Sequence, residues 1–278
     1  MFSIDTNISP PRLVLIQARM GSSRLPGKML LPLPPDGKPL LTHLLRRIAP
    51  RNWQDYQIVL ATSVHASDDP IAQLCREQQV RCFRGSEDDV LSRFYHATLA
   101  QQLDLLPQSP VMRICADNPL LHRDMLYWAF EQYEKHNLDY FSNSFAPHYE
   151  DGIALEIAAF RALEQAYQCA NLASQREHVT PYIKESGLFL CAYRKYHPNY
   201  QYKLSVDTEQ DYLNNCHIFQ ALSLPLLDFA SDFAPDFDIA QVVAFMETQG
   251  KDLFGTRTGF LEGYKKSLAN DFVMNLTK

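Results

Sequence analysis

Residues 13–28 read Leu13-Val-Leu-Ile-Gln-Ala-Arg-Met-Gly-Ser-Ser-Arg-Leu-Pro-Gly-Lys28. The apolar start predicts a buried strand, and the remainder predicts a loop rich in glycine, serine and basic side chains. Gly21 and Gly27 let the backbone turn and approach a ligand, so that its N–H groups can point at phosphate oxygens. Arg19, Arg24 and Lys28 add positive charge. This pattern favours a polyphosphate-binding loop; the alternative is an ordinary basic turn after a first strand.

The spacing within the loop excludes two common phosphate motifs. A P-loop has four residues between its glycines and a Ser or Thr after its lysine, whereas five residues separate Gly21 from Gly27 and Met29 follows Lys28. A dinucleotide fingerprint needs Gly-x-Gly-x-x-Gly, and this loop has one glycine in its first half. The loop is therefore neither a Walker A motif nor a Rossmann fingerprint.

The composition bounds the class of protein. The chain has 278 residues, 46% of them hydrophobic, which suits one large α/β core with a modest appended unit. The net charge of −6 argues against a nucleic-acid partner. The six cysteines form no Cys-x-x-Cys pair, and we expect neither a zinc site nor a disulfide framework. The absence of a signal-peptide or membrane-span pattern predicts a cytoplasmic protein without membrane insertion.

Short apolar runs alternate with helix-period segments from residue 13 to about 221, which predicts a mostly parallel sheet with flanking helices. The predicted strands are 13–18, 57–62, 80–83, 110–115, 139–142, 153–158, 188–193 and 203–206. The predicted helices are 39–49, 68–79, 86–102, 122–136, 160–169, 176–185 and 208–222. Beyond residue 223 a proline-containing, acidic and aromatic run predicts a linker, followed by helices at 239–248 and 258–268. We expect an α/β domain over 1–223 and a helical C-terminal extension over 224–278.

Two aspartates follow predicted strands at the carboxyl end, where open α/β sheets place ligands. Asp117 comes just after the strand at 110–115, and Asp207 just after the strand at 203–206. A triphosphate needs Mg²⁺, which is usually held by one or two carboxylates and the phosphates themselves. Both residues are therefore candidate Mg²⁺ ligands, with helix N-capping as the alternative for each. Asp211 is interpreted as a solvated helix residue.

The loop at 17–28 resembles the opening of the cytidylyltransferase-like family of the spore-coat polysaccharide biosynthesis protein SpsF. That family is similar, more distantly, to CMP-sialic acid and CMP-Kdo synthetases. The resemblance spans roughly residues 12–221 and continues in the family's order through Ala61-Thr-Ser63, Phe83-Arg-Gly-Ser-Glu-Asp-Asp-Val-Leu91, Asp117-x-Pro119, Asp139-Tyr-Phe-Ser-Asn143, Asp151-Gly152, Arg176-Glu-His-Val-Thr-Pro-Tyr182 and Val206-Asp-Thr208.

The resemblance implies a GT-A-like nucleotidyltransferase fold and Mg²⁺, with a sugar oxygen attacking the α-phosphate of a nucleoside triphosphate, usually CTP, and releasing pyrophosphate. It also implies roles for individual residues. The catalytic residues would be Arg19, Arg24, Lys28 and Asp117, and the metal ligands Asp117 and Asp207. The nucleotide-binding residues would be Ala18, Arg19, Met20, Gly21, Ser22, Ser23, Arg24, Lys28, Ala61, Thr62, Arg84 and Ser86. The residues near the sugar or sugar phosphate would be Asp151, Glu156, Arg176, Glu177 and His178.

Several of these assignments have simpler alternatives. Arg84 could belong to a turn, His178 could be a structural histidine, and Glu156 could face solvent on a strand. The chain also departs from the family pattern, since Ala154 stands where an aspartate is common, which bears on the sugar site more than on the nucleotide site.

We expect a Mg²⁺-dependent cytidylyltransferase-like enzyme, and a homodimer through the aromatic stretch 140–149. The alternatives are a glycosyltransferase of related fold that consumes a nucleotide sugar, and a nucleotide-binding subunit without chemistry of its own.

Overall fold

A computed structural model describes residues 10–145, 149–197, 202–224 and 239–249. The strands in these ranges are β1 (Leu13–Gln17), β2 (Pro32–Leu33), β3 (Lys38–Pro39), β4 (Gln57–Ser63), β5 (Arg81–Gly85), β6 (Pro110–Cys115), β7 (Tyr140–Ser142), β8 (Glu156–Ala159) and β9 (Cys191–Tyr193). The α-helices are α1 (Leu40–Arg47), α2 (Asp69–Glu77), α3 (Val90–Leu99), α4 (Arg123–Lys135), α5 (Phe160–Cys169), α6 (Ala173–His178), α7 (Pro181–Glu185), α8 (Glu209–Ala221) and α9 (Ile239–Gln249). Short 3₁₀ helices cover Lys28–Leu30 and Ala66–Asp68.

The central sheet has seven strands in the order β5-β4-β1-β6-β8-β7-β9. Strands β5, β4, β1 and β6 are parallel, whereas β8 runs antiparallel to both β6 and β7. Strand β9 pairs in parallel with β7, and β2 and β3 form a separate antiparallel pair. The predicted mostly parallel sheet with flanking helices is confirmed.

Strand β1 lies at the centre of the core. Its residues Leu13, Val14, Leu15 and Ile16 have no exposed surface, because helices cover both faces of the parallel strands. Helix α3 packs across β1, β4 and β5, while α4 packs across β7 and β8. Burial of each such large apolar side chain contributes about 1.5–3 kcal/mol. This local apolar pattern explains why the strand was predictable.

The register of β1 brings two loops together. Gln17 at the end of β1 aligns with Ala61 on β4 and with Cys115 on β6. The carboxyl ends of these parallel strands therefore lie at one edge of the sheet. The loop after β1 and the turn that carries Asp117 after β6 meet at this edge.

The strand predicted at 203–206 is wrong. Leu204 N donates to the carbonyl of Asp151 at 3.1 Å, and Val206 N donates to the carbonyl of Asp117 at 2.8 Å. These partners belong to two different turns, and no ladder forms. Leu204 and Val206 are buried, which explains the strand-like alternation in the sequence.

Several other predicted elements have different bounds in the structure. The helix predicted at 86–102 spans only Val90–Leu99, because Asp89 caps its start. The helix predicted at 176–185 is two helices, since Val179 takes a φ of 71° and Pro181 begins α7 in the first turn, where proline is tolerated. The strand predicted at 188–193 shortens to β9, and Leu188 and Leu190 are exposed. The strand predicted at 153–158 begins only at Glu156.

Helix α9 confirms the first predicted helix of the C-terminal extension. It buries Ile239, Val242, Val243 and Met246 within the hydrophobic core cluster. The predicted linker over 225–238 and the helix at 258–268 lie outside the described residues, and the division at residue 223 stays a prediction. Tyr140 and Phe141, from the stretch predicted as a dimer interface, lie within the chain's own core. No helix in the described ranges is long and apolar enough to cross a membrane.

Candidate nucleotide and metal site

The loop after β1 folds back on itself. Gly27 adopts a φ of 72°, in the left-handed region that favours glycine, and its N–H donates to the carbonyl of Met20 at 3.2 Å. Ser22 N donates to the same carbonyl at 2.8 Å. Gly21 does not take a positive φ. The turn at Gly27 delivers Lys28 into the short 3₁₀ helix that follows the loop.

Asp68 joins this loop to the end of β4. One of its carboxylate oxygens accepts the N–H of Met20 at 2.7 Å. The other accepts hydrogen bonds from the hydroxyl of Thr62 at 3.0 Å and from both the N–H and the hydroxyl of Ser63. Burial alone would raise the pKa of Asp68, but these hydrogen bonds outweigh it and lower the pKa. Asp68 therefore holds the loop in place as a buried carboxylate.

Lys28 lies between the two carboxylates that were predicted to bind metal. Its Nζ is 2.7 Å from Asp117 Oδ2 and 3.2 Å from Asp207 Oδ1, and it also donates to the carbonyl of Val206 at 2.7 Å. Burial opposes the charged ammonium, but Asp117 and Asp207 outweigh it and raise the pKa of Lys28. The structure thus brings the first loop and both predicted carboxylates together.

Further cations surround Asp207. Arg24 Nη2 lies 2.8 Å from Oδ1, and Lys203 Nζ lies 3.3 Å from Oδ2. Burial would raise the pKa of Asp207, but Lys28, Lys203 and Arg24 together lower it. Asp207 is therefore held as a carboxylate.

The segment that carries Asp207 packs closely on Gly152. A Cβ added to Gly152 would lie 2.4 Å from both the carbonyl carbon of Leu204 and the nitrogen of Ser205. The neighbouring Asp151 side chain hydrogen-bonds to Ser205 and interacts with Lys203, Asp207 and Asp117. Burial is the largest influence on Asp151 and raises its pKa. Asp151 therefore lies with the candidate metal carboxylates.

A cleft of about 230 Å³ opens at this edge of the sheet. Basic side chains and hydroxyls line it beside the carboxylates. The lining residues are Gln17, Arg19, Ser22, Ser23, Arg24, Lys28, Met29, Cys115, Asp117 and Asp207. The cleft therefore contains most of the predicted phosphate loop together with both predicted metal ligands.

The residues predicted near the base and ribose are either buried beneath the cleft or hydrogen-bonded to nearby residues of the chain. Ala18 and Ala61 are buried, and the hydroxyl of Thr62 donates a hydrogen bond to Asp68. Arg84 donates to the carbonyls of Ser63 and His65 and pairs with Asp69 at 2.6 Å. The hydroxyl of Ser86 accepts the N–H of Asp89. In the structure these groups shape the turns beside the cleft.

Glu156 is the centre of a buried polar cluster, and it does not face solvent. It pairs with Arg113 at 2.5 Å, accepts the hydroxyl of Thr180 at 2.6 Å and contacts Lys184 at 3.4 Å. Tyr140 also donates its hydroxyl to Glu156. Burial would raise the pKa of Glu156, but Lys184, Arg113 and the hydroxyl donors lower it strongly. Arg113 in turn donates to Gln17, which lines the cleft.

The other residues predicted to approach the sugar divide between two places. His178 interacts with Glu156, Arg113 and Lys184, and burial lowers its pKa. Arg176 instead joins α6 to α3, because its guanidinium binds the Asp89 carboxylate and donates to the carbonyl of Tyr167. Glu177 is exposed on α6.

The donor chemistry of the cleft fits Mg²⁺. Asp117 and Asp207 offer carboxylate oxygens, the hard ligands that Mg²⁺ prefers. Both carboxylates contact the Lys28 ammonium group, so they lie close enough together to share one cation. Among the residues that the structure describes, no group of three or more His, Cys, Asp or Glu could hold a metal ion. A pair of carboxylates that relies on phosphate oxygens for further ligands is the usual arrangement for Mg²⁺.

Sequence reasoning missed the roles of Asp68, Lys203 and Asp211. Asp211 is not a solvated helix residue, since its Oδ2 binds Lys203 Nζ at 2.6 Å and accepts the N–H of Thr208 at 2.8 Å. A capping-box spacing from Thr208 to Asp211 was the available signal for Asp211. Nothing in the sequence indicated that Asp68 would accept the N–H of Met20, because the two are distant in the chain.

Residues 13–249 match the family model described as Cytidylyltransferase. The chain therefore belongs to the cytidylyltransferase family and is a nucleotidyltransferase. It is 34% identical over 212 residues to the spore coat polysaccharide biosynthesis protein SpsF of Bacillus subtilis, covering 72% of this chain and 82% of that protein. It is 37% identical over 202 residues to an uncharacterized protein of Methanocaldococcus jannaschii, covering 71% of this chain and 79% of that protein.

Solved structures agree with this assignment. A cytidylyltransferase from Leptospira borgpetersenii superimposes with a TM-score of 0.73 at 25% identity, covering 89% of this chain and 98% of that one. The synthetase of CMP-2-keto-3-deoxy-manno-octonic acid, solved in complex with CTP, superimposes with a TM-score of 0.53 at 16% identity, covering 77% of this chain and 100% of that one. The latter likeness shows a shared fold.

Proposed function

We propose that the protein transfers CMP from CTP to an oxygen of a sugar or sugar phosphate and releases pyrophosphate, with Mg²⁺ as cofactor. The observation that carries this proposal is the convergence of Lys28, Asp117 and Asp207 in a cleft lined by the basic loop after β1. The similarity to SpsF supports a role in polysaccharide or glycoconjugate synthesis. We propose that the protein acts in the cytoplasm.

The chemistry requires alignment and charge neutralisation rather than a covalent nucleophile. The acceptor oxygen forms a bond to the α-phosphorus, the bond from that phosphorus to the bridging oxygen breaks, and pyrophosphate leaves with the bond electrons. When the acceptor oxygen is a sugar hydroxyl, its proton is released to water as the new bond forms; a sugar-phosphate oxyanion has no proton to lose. Arg19, Arg24 and Lys28 bind the β- and γ-phosphates and stabilise the charge on the leaving group. Ser22, Ser23 and the backbone N–H groups of the loop orient the same phosphates.

Asp117 and Asp207 would hold Mg²⁺ in this reaction. The ion supplies positive charge that neutralises the phosphate oxygens. Lys28 contacts both carboxylates and Arg24 contacts Asp207, and the arriving triphosphate offers these cations an alternative anionic partner. We therefore propose that triphosphate and metal enter the cleft together.

The acceptor would bind beside the nucleotide, toward Glu156. Asp151 lies next to the metal carboxylates, while Glu156 and His178 share a polar cluster with Arg113 and Lys184. The hydrogen bond from Arg113 to Gln17 connects that cluster with the cleft. We also propose that Arg176 and Glu177 approach the acceptor, although Arg176 forms an ion pair with Asp89 in this structure.

The test is a pyrophosphate-release assay with Mg²⁺, four nucleoside triphosphates and a panel of sugar phosphates and nonulosonic acids. We expect release with CTP and one class of acceptor, and a loss of at least roughly a hundredfold in Asp117→Asn. Asp124→Asn is the matched control, because Asp124, like Asp117, pairs with a basic side chain, here that of Arg51, but does not line the cleft. Full activity in Asp117→Asn would remove Asp117 from the mechanism. Hydrolysis of a nucleotide sugar without pyrophosphate exchange would instead indicate a glycosyltransferase.

A further inference from the structure

Lys203 is a buried cation that lies against the proposed metal ligand Asp207. Its side chain is 8% exposed, it does not line the cleft, and its Nζ is 3.3 Å from Asp207 Oδ2. A positive charge at this distance competes with a divalent cation for the same carboxylate. Unlike Arg24 and Lys28, which line the cleft, Lys203 is not placed to transfer to a triphosphate.

Lys203 also stabilises the backbone segment that leads to Asp207. Its Nζ donates to the carbonyl of Ser205 at 3.2 Å and so braces the segment that leads to Asp207. The ammonium group of Lys203 therefore supports this segment, while its positive charge competes with a metal ion at Asp207.

Asp211 offsets that charge. Its Oδ2 lies 2.6 Å from Lys203 Nζ, closer than Asp207 Oδ2 at 3.3 Å. The same oxygen accepts hydrogen bonds from the N–H of Asp207 at 3.1 Å, from the N–H of Thr208 at 2.8 Å and from the Thr208 hydroxyl at 2.9 Å. These donors fix the Asp211 carboxylate at the start of α8.

We propose that Asp211 is a positioning residue that holds the Lys203 ammonium away from Asp207 Oδ2 and leaves Asp207 available to Mg²⁺. The inference rests on the proposed metal-binding function of Asp207. It assigns Asp211 a role beyond the capping of α8, because a cap alone would not depend on the charge of Lys203.

The experiment measures Mn²⁺ binding by electron paramagnetic resonance in the presence of CTP. In D211N the side chain is neutral, so the Lys203 ammonium keeps Asp207, at 3.3 Å, as an ion-pair partner and loses the competing carboxylate of Asp211, and the Kd for Mn²⁺ rises about tenfold or more. The double variant K203M/D211N removes the competing charge, and its Kd returns to within about twofold of wild type. E209Q is the matched control, since it removes one negative charge from the exposed face of the same first turn of α8 and leaves the Kd unchanged.

Two results would overturn the inference: an unchanged Kd in D211N, or a double variant as weak as D211N. The crystal structure of D211N gives a second readout that needs no activity. We expect Lys203 Nζ to move closer to Asp207 Oδ2 than 3.3 Å, and an unmoved ammonium would contradict the proposal. If wild type binds no Mn²⁺ with any of four nucleoside triphosphates, the proposed function fails, while the crystal structure still decides whether Asp211 controls the position of Lys203.

Discussion

Lys28 Nζ lies 2.7 Å from Asp117 Oδ2, although the two residues are 89 positions apart in the sequence. The contact joins the loop after β1 to the turn after β6, and the same ammonium reaches Asp207. Because Lys28 is 7% exposed, its loss would leave two carboxylates facing each other in a poorly solvated site.

Lys28→Met should lower the free energy of unfolding by about 2–3 kcal/mol at neutral pH. The folded-state pKa of Asp207 is depressed, so its stabilisation is present above the unfolded value near 4 and is lost as the pH falls through the lower folded value. The variant loses part of that stabilisation, and its deficit in Tm should therefore keep its full size from neutral pH down to about pH 5 and narrow as the pH falls below about 4.

Thermal unfolding between about pH 2 and pH 8 measures this effect. Lys38→Met is the control, because Lys38 is exposed on β3, and its replacement should change the unfolding free energy by less than about 0.5 kcal/mol. A deficit that stays constant with pH would show that the carboxylates do not respond to Lys28.

Asp68→Asn should weaken CTP binding roughly tenfold and destabilise the protein by about 1–3 kcal/mol, because an amide cannot accept all the hydrogen bonds that this buried carboxylate receives. The depressed folded-state pKa of Asp68 means that its contribution is present above about pH 4 and is lost on acidification. Calorimetric titration with Mg²⁺ and CTP, together with urea unfolding, measures both effects. Asp69→Asn should change stability little, since the Asp69 side chain is 62% exposed. Equal CTP affinities for Asp68→Asn and wild type would refute a role for Asp68 in shaping the loop.

Gly152→Ala should destabilise the protein by about 3 kcal/mol or more. The new Cβ would lie 2.4 Å from the backbone of residues 204 and 205, and alanine would also be strained at a φ of 89°. Gly187→Ala is a matched control, because its φ of 71° carries the same kind of strain but no atom lies within 4 Å of the added Cβ, and it should cost only about 1 kcal/mol. Urea unfolding of both variants tests the close contact, and similar losses at the two positions would contradict it.

Glu156→Gln should destabilise the protein by about 3–5 kcal/mol, since it leaves the Arg113 guanidinium without its buried counter-charge. The folded-state pKa of Glu156 is depressed, so this stabilisation exists above the unfolded value of about 4.3 and disappears as the pH falls through the folded value. Thermal unfolding at neutral pH measures the loss. Glu134→Gln should cost less than about 1 kcal/mol, because Glu134 pairs with Arg12 at a more exposed position. A stable Glu156→Gln variant would contradict this structural role, and a raised KM for the acceptor in that variant would leave Glu156 with the proposed substrate-binding role alone.

Much of the fold was predictable because its signals are local. The apolar run of β1 predicts a strand buried on both faces, and the alternation of strands and helices predicts a parallel sheet. The break at Val179 had a local signal, since a proline such as Pro181 inside a predicted helix ends or kinks the helix just before it. The non-strand segment at 203–206 was not predictable, because buried side chains at regular spacing also occur in segments that pair with turns. A local sequence pattern indicates which side chains are buried. Whether the segment forms a β-ladder depends on the backbone segments that lie beside it in the fold.

By itself, the sequence determined the chemical character of the site: a basic, glycine-containing loop after a central strand, and Asp117 just beyond the carboxyl end of β6. The tertiary structure alone decided which charges meet. Lys28 reaches Asp117 and Asp207, Lys203 is shared between Asp207 and Asp211, and Arg113 pairs with Glu156, with the partners of Lys28 drawn from distant parts of the chain. The strength of an electrostatic interaction depends on the distance between the charges and on their burial, and both are set by the order of the strands in the folded sheet.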